Sequence, residues 1–91
     1  MKTMTRSISK TQSSFYRRLY VAHLVDSGIN TVPAIVAATD MPRRTVQDTL
    51  AAIPDLTIDL RNDSGRFSVK SWGAINKEWV EDNLEHVKDV L

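Results

Sequence analysis

The chain has 91 residues, 42% of them hydrophobic and 25% charged, which is enough for one domain with a modest core and too short for a second full domain. The absence of cysteine excludes disulfides, thiolate zinc sites and cysteine nucleophiles. No apolar run approaches the roughly 20 residues that span a bilayer, and the N-terminus has no apolar signal-peptide core. We therefore expect a single-domain cytoplasmic protein with no membrane partner.

The net charge of +1 conceals an uneven distribution along the chain. Residues 1–50 carry seven basic and three acidic side chains, a balance of +4, whereas residues 51–91 carry five and eight, a balance of −3. Three of those five bases lie between residues 61 and 70, and the acids concentrate near the C-terminus. This asymmetry predicts a basic face that could meet phosphates, although a mixed, solvated surface is the alternative.

Residues 1–12 are polar, include three bases and have no periodicity, which is typical of a disordered basic arm. A first helix is predicted to begin at a serine cap, Ser13 or Ser14, and to run to Ser27, with Gly28 as its stop signal. The short segment of residues 29–31 is a candidate third strand beside a later hairpin.

Residues 31–53 have the pattern of two short helices joined by a tight turn. Thr31 can cap the first helix with its hydroxyl, and Pro33 lies in the opening turn, where a missing N–H is harmless. Asp40 occupies the turn position usual for glycine, and Asp is one of the few other residues that tolerate a left-handed conformation. The side chains expected where the two helices cross are Ile35, Val36, Met41, Val46, Thr49 and Leu50. This spacing predicts a helix-turn-helix.

The second helix of this pair covers about residues 42–53 and starts at Met41 and Pro42, again with proline at an early position. Its outward face combines two arginines with a glutamine and an aspartate, residue types that hydrogen-bond phosphates or base edges in the major groove of DNA. These outward residues are Arg43, Arg44, Gln47 and Asp48. We interpret this helix as a recognition helix.

Two runs of alternating apolar and polar residues follow between residues 56 and 70. Their apolar positions are Leu56, Ile58, Leu60, Phe67 and Val69. Residues 62–65, Asn-Asp-Ser-Gly, have a turn composition whose glycine can supply a positive φ. The pattern therefore predicts a hairpin of two half-buried strands.

After Trp72 and Gly73, the apolar residues of the last segment recur at helical spacing. They are Ile75, Trp79, Val80, Leu84, Val87 and Leu91. The pattern predicts one long C-terminal helix over residues 74–91, with its acidic residues turned away from any bound phosphate.

Helix, helix-turn-helix and hairpin follow one another here as in the winged helix-turn-helix family, which the chain resembles from about residue 13 to residue 71. The Met-Pro-Arg-Arg-Thr block at residues 41–45 is similar to that of small, stand-alone bacterial members. The resemblance implies an α+β fold with a three-helix core and a β-hairpin wing, here followed by the long C-terminal helix. Residues 13–91 would then form one winged helix domain.

The same resemblance implies a DNA-binding protein and a transcriptional regulator. The recognition helix of such a protein enters the major groove of double-stranded DNA, and the wing, about residues 56–70, contacts the backbone or the minor groove. The candidates for the groove-facing set are Arg43, Arg44, Thr45, Gln47 and Asp48. The candidates on the wing are Arg61, Asn62 and Arg66.

Two features predict a homodimer through the first helix and the C-terminal helix. Apolar residues surround the first helix almost completely, as in helices that are buried on more than one face. The C-terminal apolar stripe is longer than so small a domain is expected to cover, and a second copy is the simplest partner. The alternative is that the C-terminal helix folds back over the first helix within one chain, with Trp72 and Trp79 as core aromatics.

Little in the sequence supports catalysis, a cofactor or a metal. His23 lies among apolar residues, as a packed or interface histidine would, and His86 lies in an acidic stretch. Asp82 precedes His86 by four residues on one helical face, but one His and one carboxylate leave a tetrahedral metal site half empty. The three glycines are scattered and form no phosphate-binding loop. We expect no enzyme activity, no cofactor and no metal site.

Two functions from different classes remain. One is a sequence-specific DNA-binding regulator that acts as a dimer, and the other is a winged-helix module that binds protein and not DNA; the fold alone does not choose between them. The Arg43-Arg44 pair followed by Gln47 favours DNA. Asp48 on the same face would repel phosphate unless it accepts from a cytosine amino group or orients an arginine.

Overall fold

The computed structural model describes residues 9–89, which form helices and one β-hairpin. In chain order the elements are α1 (Lys10–Asp26), α2 (Val32–Thr39), α3 (Arg43–Ala52), a 3-10 turn (Ile53–Leu56), β1 (Asp59–Asp63), β2 (Arg66–Ser71), α4 (Lys77–Asp82) and α5 (Leu84–Asp89). The predicted α+β order of helix, helix-turn-helix and hairpin is confirmed. No helix within residues 9–89 is both long and apolar enough to cross a bilayer.

The cap of helix α1 lies four to five residues before the predicted caps. The side chain of Ser9, whose backbone is extended, accepts a hydrogen bond of 3.0 Å from the amide of Gln12 and so caps the helix. The predicted caps, Ser13 and Ser14, were wrong, and residues 10–12 belong to the helix and not to an arm. The rest of the predicted arm, residues 1–8, lies outside the described residues.

The linker after α1 holds the helix end to the hairpin. Gly28 has a φ of 106°, which confirms it as the stop signal of the helix. The predicted third strand at residues 29–31 is absent from the described sheet, which has two strands. One residue, Asn30, nevertheless bonds to Phe67 of β2. The pairing stops there because the next residue, Thr31, is already the cap of α2.

The helix-turn-helix has the cap at Thr31 and the left-handed turn at Asp40 that the sequence predicted. Thr31 accepts a hydrogen bond of 3.3 Å from the amide of Ala34. Asp40 adopts the left-handed conformation, with a φ of 61°, and ends α2. Pro42 is the residue before α3, so the helix begins at Arg43, one residue later than predicted.

Helix α1 is the centre of the fold, because it contacts α3, the 3-10 turn, β2, α4 and α5. The buried apolar residues are Leu19, Val21, Ala22, Leu24, Val25, Ile35, Val46, Leu50, Ile53, Ile58, Val80 and Val87. The apolar surround of α1 is therefore covered largely within one chain, as the fold-back alternative proposed. Trp79, which that alternative placed in the core, is instead 41% exposed.

The hairpin is shorter than predicted at its start and tighter at its turn. Leu56 belongs to the 3-10 turn and not to a strand, and β1 begins at Asp59. The strands pair in antiparallel order with Asp63 opposite Arg66, so the loop between them has two residues. Both loop residues, Ser64 and Gly65, have positive φ values of 55° and 92°, the conformation that follows the twist of the paired strands.

The C-terminal segment forms two short helices and not the single predicted helix. The first begins at Lys77, because Asn76 accepts a hydrogen bond of 3.1 Å from the amide of Trp79 and caps it. Asn83 lies between the two helices, and its φ of −118° departs from the helical value. Its side-chain amide donates a hydrogen bond of 2.8 Å to the carbonyl of Trp79. The Asn83 backbone amide keeps its helical bond to the same carbonyl at 3.0 Å, so this carbonyl accepts two bonds. A side-chain bond to the carbonyl four residues back bends a helix, which is the physical reason for the break here.

Candidate nucleic-acid interface

Helix α3 separates into a buried and an exposed face. Val46, Thr49 and Leu50 are buried against the core, and the Thr49 hydroxyl donates a hydrogen bond of 2.7 Å to the carbonyl of Thr45. The opposite face is exposed and consists of Arg43, Arg44, Gln47, Asp48 and Ala51. Four of the five groove-facing candidates therefore point outward together.

Arg44 and Asp48 lie one turn apart on this exposed face. The Arg44 Nε atom is 3.9 Å from an Asp48 carboxylate oxygen, and the two side chains are 89% and 75% exposed. A pair at this distance and exposure is weak, since water screens it and both side chains stay free to move. The Arg44 side chain thus remains available to bind another anion. Asp48 lies close enough to affect how the Arg44 guanidinium group is oriented.

The fifth candidate, Thr45, is half-buried. It lies on the side of α3 that faces α1, where it lines a hollow together with Arg17, Arg18 and Asp48. The Thr45 side chain points between the exposed and the buried face of α3, so it does not lie with the four outward candidates.

A cleft of about 470 Å³ separates α3 from the hairpin, which we call the wing. Its buried and half-buried lining residues are Val32, Leu50 and Phe67. Its exposed lining residues are Pro33, Arg43, Gln47, Ala51, Asn62 and Gly65. The cleft therefore has apolar walls and brings polar groups of α3 and of the wing to one opening.

The wing arginine Arg61 is held by an acid that the sequence analysis did not consider. Its Nε and an Nη atom donate hydrogen bonds of 2.7 and 3.0 Å to the two carboxylate oxygens of Asp59. These bonds lower the pKa of Asp59 below its usual value and raise that of Arg61. The pairing arises because side chains two residues apart on a strand point to the same side.

The other two wing candidates have different roles. The Asn62 side-chain oxygen accepts a hydrogen bond of 2.8 Å from the amide of Gly65, so it closes the turn while it also lines the cleft. Arg66 is exposed and lies opposite Asp63 in the strand register. Of these three candidates, Arg66 is the one whose side chain has no hydrogen bond or ion pair within residues 9–89.

Basic residues of α1 that were not among the sequence candidates also lie beside α3. Arg17 and Arg18 are half-buried and line the hollow on the side of α3 away from the wing, opposite Asp48. Ser14 lines the same hollow, and Lys10 lines an adjoining one with Arg17. The signal for them was available: within residues 10–25 every charged side chain is basic.

The two histidines do not form a site of their own. The His23 Nε2 atom is 3.5 Å from the Ser27 hydroxyl oxygen. The ring of His86 meets the ring of Tyr16 edge-on, with 5.4 Å between the ring centres. Within the described part of the chain, no group of three His, Cys, Asp or Glu residues could hold a metal ion.

Comparisons with known proteins agree with this geometry. Residues 10–91 match the model of a family described as winged helix-turn helix. The fold is similar to the crystal structure of a DUF2131 family protein from Shewanella amazonensis SB2B, with 33% sequence identity and a TM-score of 0.83 over 92% of this chain and 94% of that one. Among curated proteins, none matches this chain. Since the family match spans most of the sequence and the similar structure spans nearly all of both chains, this chain belongs to the winged helix-turn-helix family.

Proposed function

We propose that this protein binds double-stranded DNA and acts as a transcriptional regulator, with α3 as the recognition helix. The observation that carries the proposal is the division of α3, whose inner face is buried while its outer face presents Arg43, Arg44, Gln47 and Asp48 to solvent. The proposal includes no enzymatic step and no cofactor, and it is consistent with the cytoplasmic location expected from the sequence.

The outer face of α3 suits the major groove in size and chemistry. A helix with its side chains is about 10–12 Å across, and the major groove is about 12 Å wide. Arginine donates to the N7 and O6 acceptors of guanine, and glutamine donates to N7 of adenine while its oxygen accepts from the N6 amino group. Arg43, Arg44 and Gln47 therefore supply readers for both purines. Asp48 would orient Arg44 or accept from a cytosine amino group.

The wing would then contact the DNA beside α3. Among the wing candidates, Arg66 is the available cation, whereas the pairing of Arg61 with Asp59 reduces the charge that Arg61 can offer to a phosphate. Asn62 and Gly65 at the cleft opening would face the backbone that borders the groove. In this arrangement the wing positions the protein and the recognition helix selects the sequence.

The test is DNA binding by an Arg43→Ala/Arg44→Ala variant, measured by fluorescence anisotropy with duplex DNA over a range of salt concentrations. We expect a loss of about 1 to 3 kcal/mol for each base contact removed and a shallower salt dependence where phosphates are contacted. Both side chains are exposed, so the thermal melt should hardly change. A folded variant with wild-type affinity and salt dependence would remove the assignment of α3.

A matched control separates base contacts from phosphate contacts. Arg43→Lys/Arg44→Lys keeps both charges and loses the fork of donors that pairs with guanine. If the arginines contact bases, this variant should lose sequence preference while it keeps its affinity for random duplex DNA. Lys88→Ala on α5 serves as a control for the loss of one exposed charge. No residue of α5 lines the cleft between α3 and the wing or the hollow between α1 and α3.

The alternative function is protein binding by the same fold, and one observation favours it. Trp79 is 41% exposed, its ring stacks on that of Tyr16 at 6.4 Å, and Phe15 extends the same surface. Exposed aromatic clusters are common where proteins meet. A partner that binds this surface, with no binding of wild type to duplex DNA at low salt, would favour the alternative.

A homodimer would use this same aromatic surface of α1 and α4. Val80 and Val87, which suggested pairing in the sequence, are buried within the chain and cannot face a second copy. Two copies related by a two-fold axis would reach half-sites about 34–36 Å apart on DNA. Sedimentation equilibrium checks this: wild type should be dimeric and Trp79→Arg monomeric, whereas a wild type that is monomeric at tens of micromolar would remove the dimer.

A further inference from the structure

We propose that the hollow between α1 and α3 is a second phosphate-binding surface, in which Arg17 and Arg18 contact the DNA strand on the side of the recognition helix away from the wing. This inference rests on the proposed binding of DNA by α3. It assigns part of the contact surface to α1, the helix for which the sequence predicted a role in a homodimer and no DNA contact.

The position of the hollow is the first argument. The residues of α3 that line the wing cleft are Arg43, Gln47, Leu50 and Ala51. Those that line the hollow beside α1 are Thr45, Asp48, Thr49 and Ala52. The exposed strip of α3 therefore lies between two depressions. Because a helix in the major groove has a phosphate backbone on each side, the wing can meet one strand and α1 the other.

The distribution of charge is the second argument. Arg17 and Arg18 line the hollow, and Lys10 lines the adjoining depression with Arg17. No ion pair within residues 9–89 involves any of these three side chains. The wing differs, since Asp59 holds Arg61 through two hydrogen bonds. The cations of α1 are thus freer to contact phosphate than Arg61 of the wing.

The partial burial of the two arginines is the third argument. Arg17 and Arg18 are half-buried, although each carries a charge and forms no ion pair within residues 9–89, with Asp48 included among the residues that line the same hollow. Stems packed against the protein restrict where the guanidinium groups can lie, which lowers the entropy lost when a phosphate binds. Ser14 on the same wall of the hollow adds a hydroxyl that can donate to a phosphate oxygen.

Salt-dependent binding to a random-sequence duplex tests the inference with Arg17→Ala/Arg18→Ala. Two lost phosphate contacts lower the slope of log affinity against log salt by about 1.8, so the affinity lost between about 50 and 200 mM salt should be roughly tenfold smaller than for wild type. The loss should be equal across DNA sequences, because phosphates carry no sequence information. Arg17→Lys/Arg18→Lys keeps the charge and should keep most of the slope.

The variants separate this inference from the function on which it rests. If Arg43→Ala/Arg44→Ala weakens binding while the folded α1 variant keeps the wild-type slope, the α1 surface is wrong and the recognition helix stands. If wild type binds no duplex DNA, both proposals are overturned. Should the alanine variant not fold, Arg17→Gln/Arg18→Gln retains the packed stems without charge and must show the same reduced slope.

Asp48 provides an independent probe, because it is the acid that lines the hollow. With a phosphate strand in the hollow, Asp48→Asn should raise the affinity for random duplex DNA several-fold, by removing a repulsion. The gain should be smaller in the Arg17→Ala/Arg18→Ala background, where the strand is held less closely. An equal gain in both backgrounds would contradict the placement of phosphate in this hollow.

Discussion

Asn30 bonds to both backbone polar atoms of Phe67. The Phe67 amide donates to the Asn30 carbonyl at 2.9 Å, and the Asn30 side-chain amide donates to the Phe67 carbonyl at 3.0 Å. These bonds join the linker before α2 to β2 of the wing, 37 residues further along the chain. They set the position of the wing relative to the helix-turn-helix.

Asn30→Ala should lower the free energy of unfolding by about 1 to 2 kcal/mol, since the part-buried Phe67 carbonyl loses its side-chain donor. Hydrogen exchange at residues 59–71 should become faster than in the helices. Asn30→Asp preserves the shape but replaces the donor with an acceptor and should cost at least as much. Urea unfolding measures both, and an unchanged midpoint in Asn30→Ala would contradict this role.

Gly73 should tolerate substitution far less well than Gly28. Both have positive φ values, 58° and 106°. A methyl group on Gly73 would overlap the carbonyl group of Thr57, whereas nothing lies within 4 Å of one on Gly28. Gly28→Ala should therefore cost about 1 to 2 kcal/mol, the backbone strain alone. Gly73→Ala should cost clearly more in thermal or urea unfolding, and equal costs would show that Thr57 moves freely.

Asp40→Gly should stabilise the protein. Asp40 ends α2 with a φ of 61°, a conformation that is strained for residues with a Cβ atom by about 1 to 2 kcal/mol. The greater freedom of glycine in the unfolded chain offsets part of the gain, which leaves about 0.5 kcal/mol. Asp40→Ala keeps the strain without the polar side chain and should destabilise. A lower melting temperature for Asp40→Gly would mean that the carboxylate has another role in the turn.

The Asp59–Arg61 pair should make part of the stability depend on acid pH. Hydrogen bonding to Arg61 lowers the pKa of Asp59 in the folded state, so the stabilising contribution is present above the unfolded value of about 3.9. It is lost as the pH falls through the lower folded pKa. Asp59→Asn should therefore flatten the fall in stability below about pH 4, measured by urea unfolding at several pH values.

Asp59→Asn should also raise the affinity for random duplex DNA, because it releases Arg61 to contact phosphate. The gain should be greatest at low salt and should disappear in an Asp59→Asn/Arg61→Ala variant. An unchanged affinity would mean that Arg61 lies too far from DNA to matter and that Arg66 is the wing contact.

The parts of the fold that the sequence predicted correctly depend on neighbours along the chain. The Thr31 cap, Pro33 in the opening turn and the left-handed Asp40 are each decided within one helical turn, because hydrogen bonding and φ restrictions act locally. The helical period likewise separated the buried Val46 and Leu50 from the exposed face of α3. The candidate recognition surface was predictable for that reason.

The errors arose where competing signals or distant residues decided the outcome. Periodicity continued through Asn83, so it predicted one C-terminal helix, but the Asn83 side chain adds a second bond to the carbonyl of Trp79 at the residue where α4 ends. Apolar residues around α1 indicated a homodimer, with fold-back of the C-terminal segment as the alternative, and in the structure α4 and α5 of the same chain cover much of α1. Which side of α3 receives Arg17 and Arg18 depends on how α1 packs across it, and such packing joins residues whose separation along the sequence carries no periodic signal.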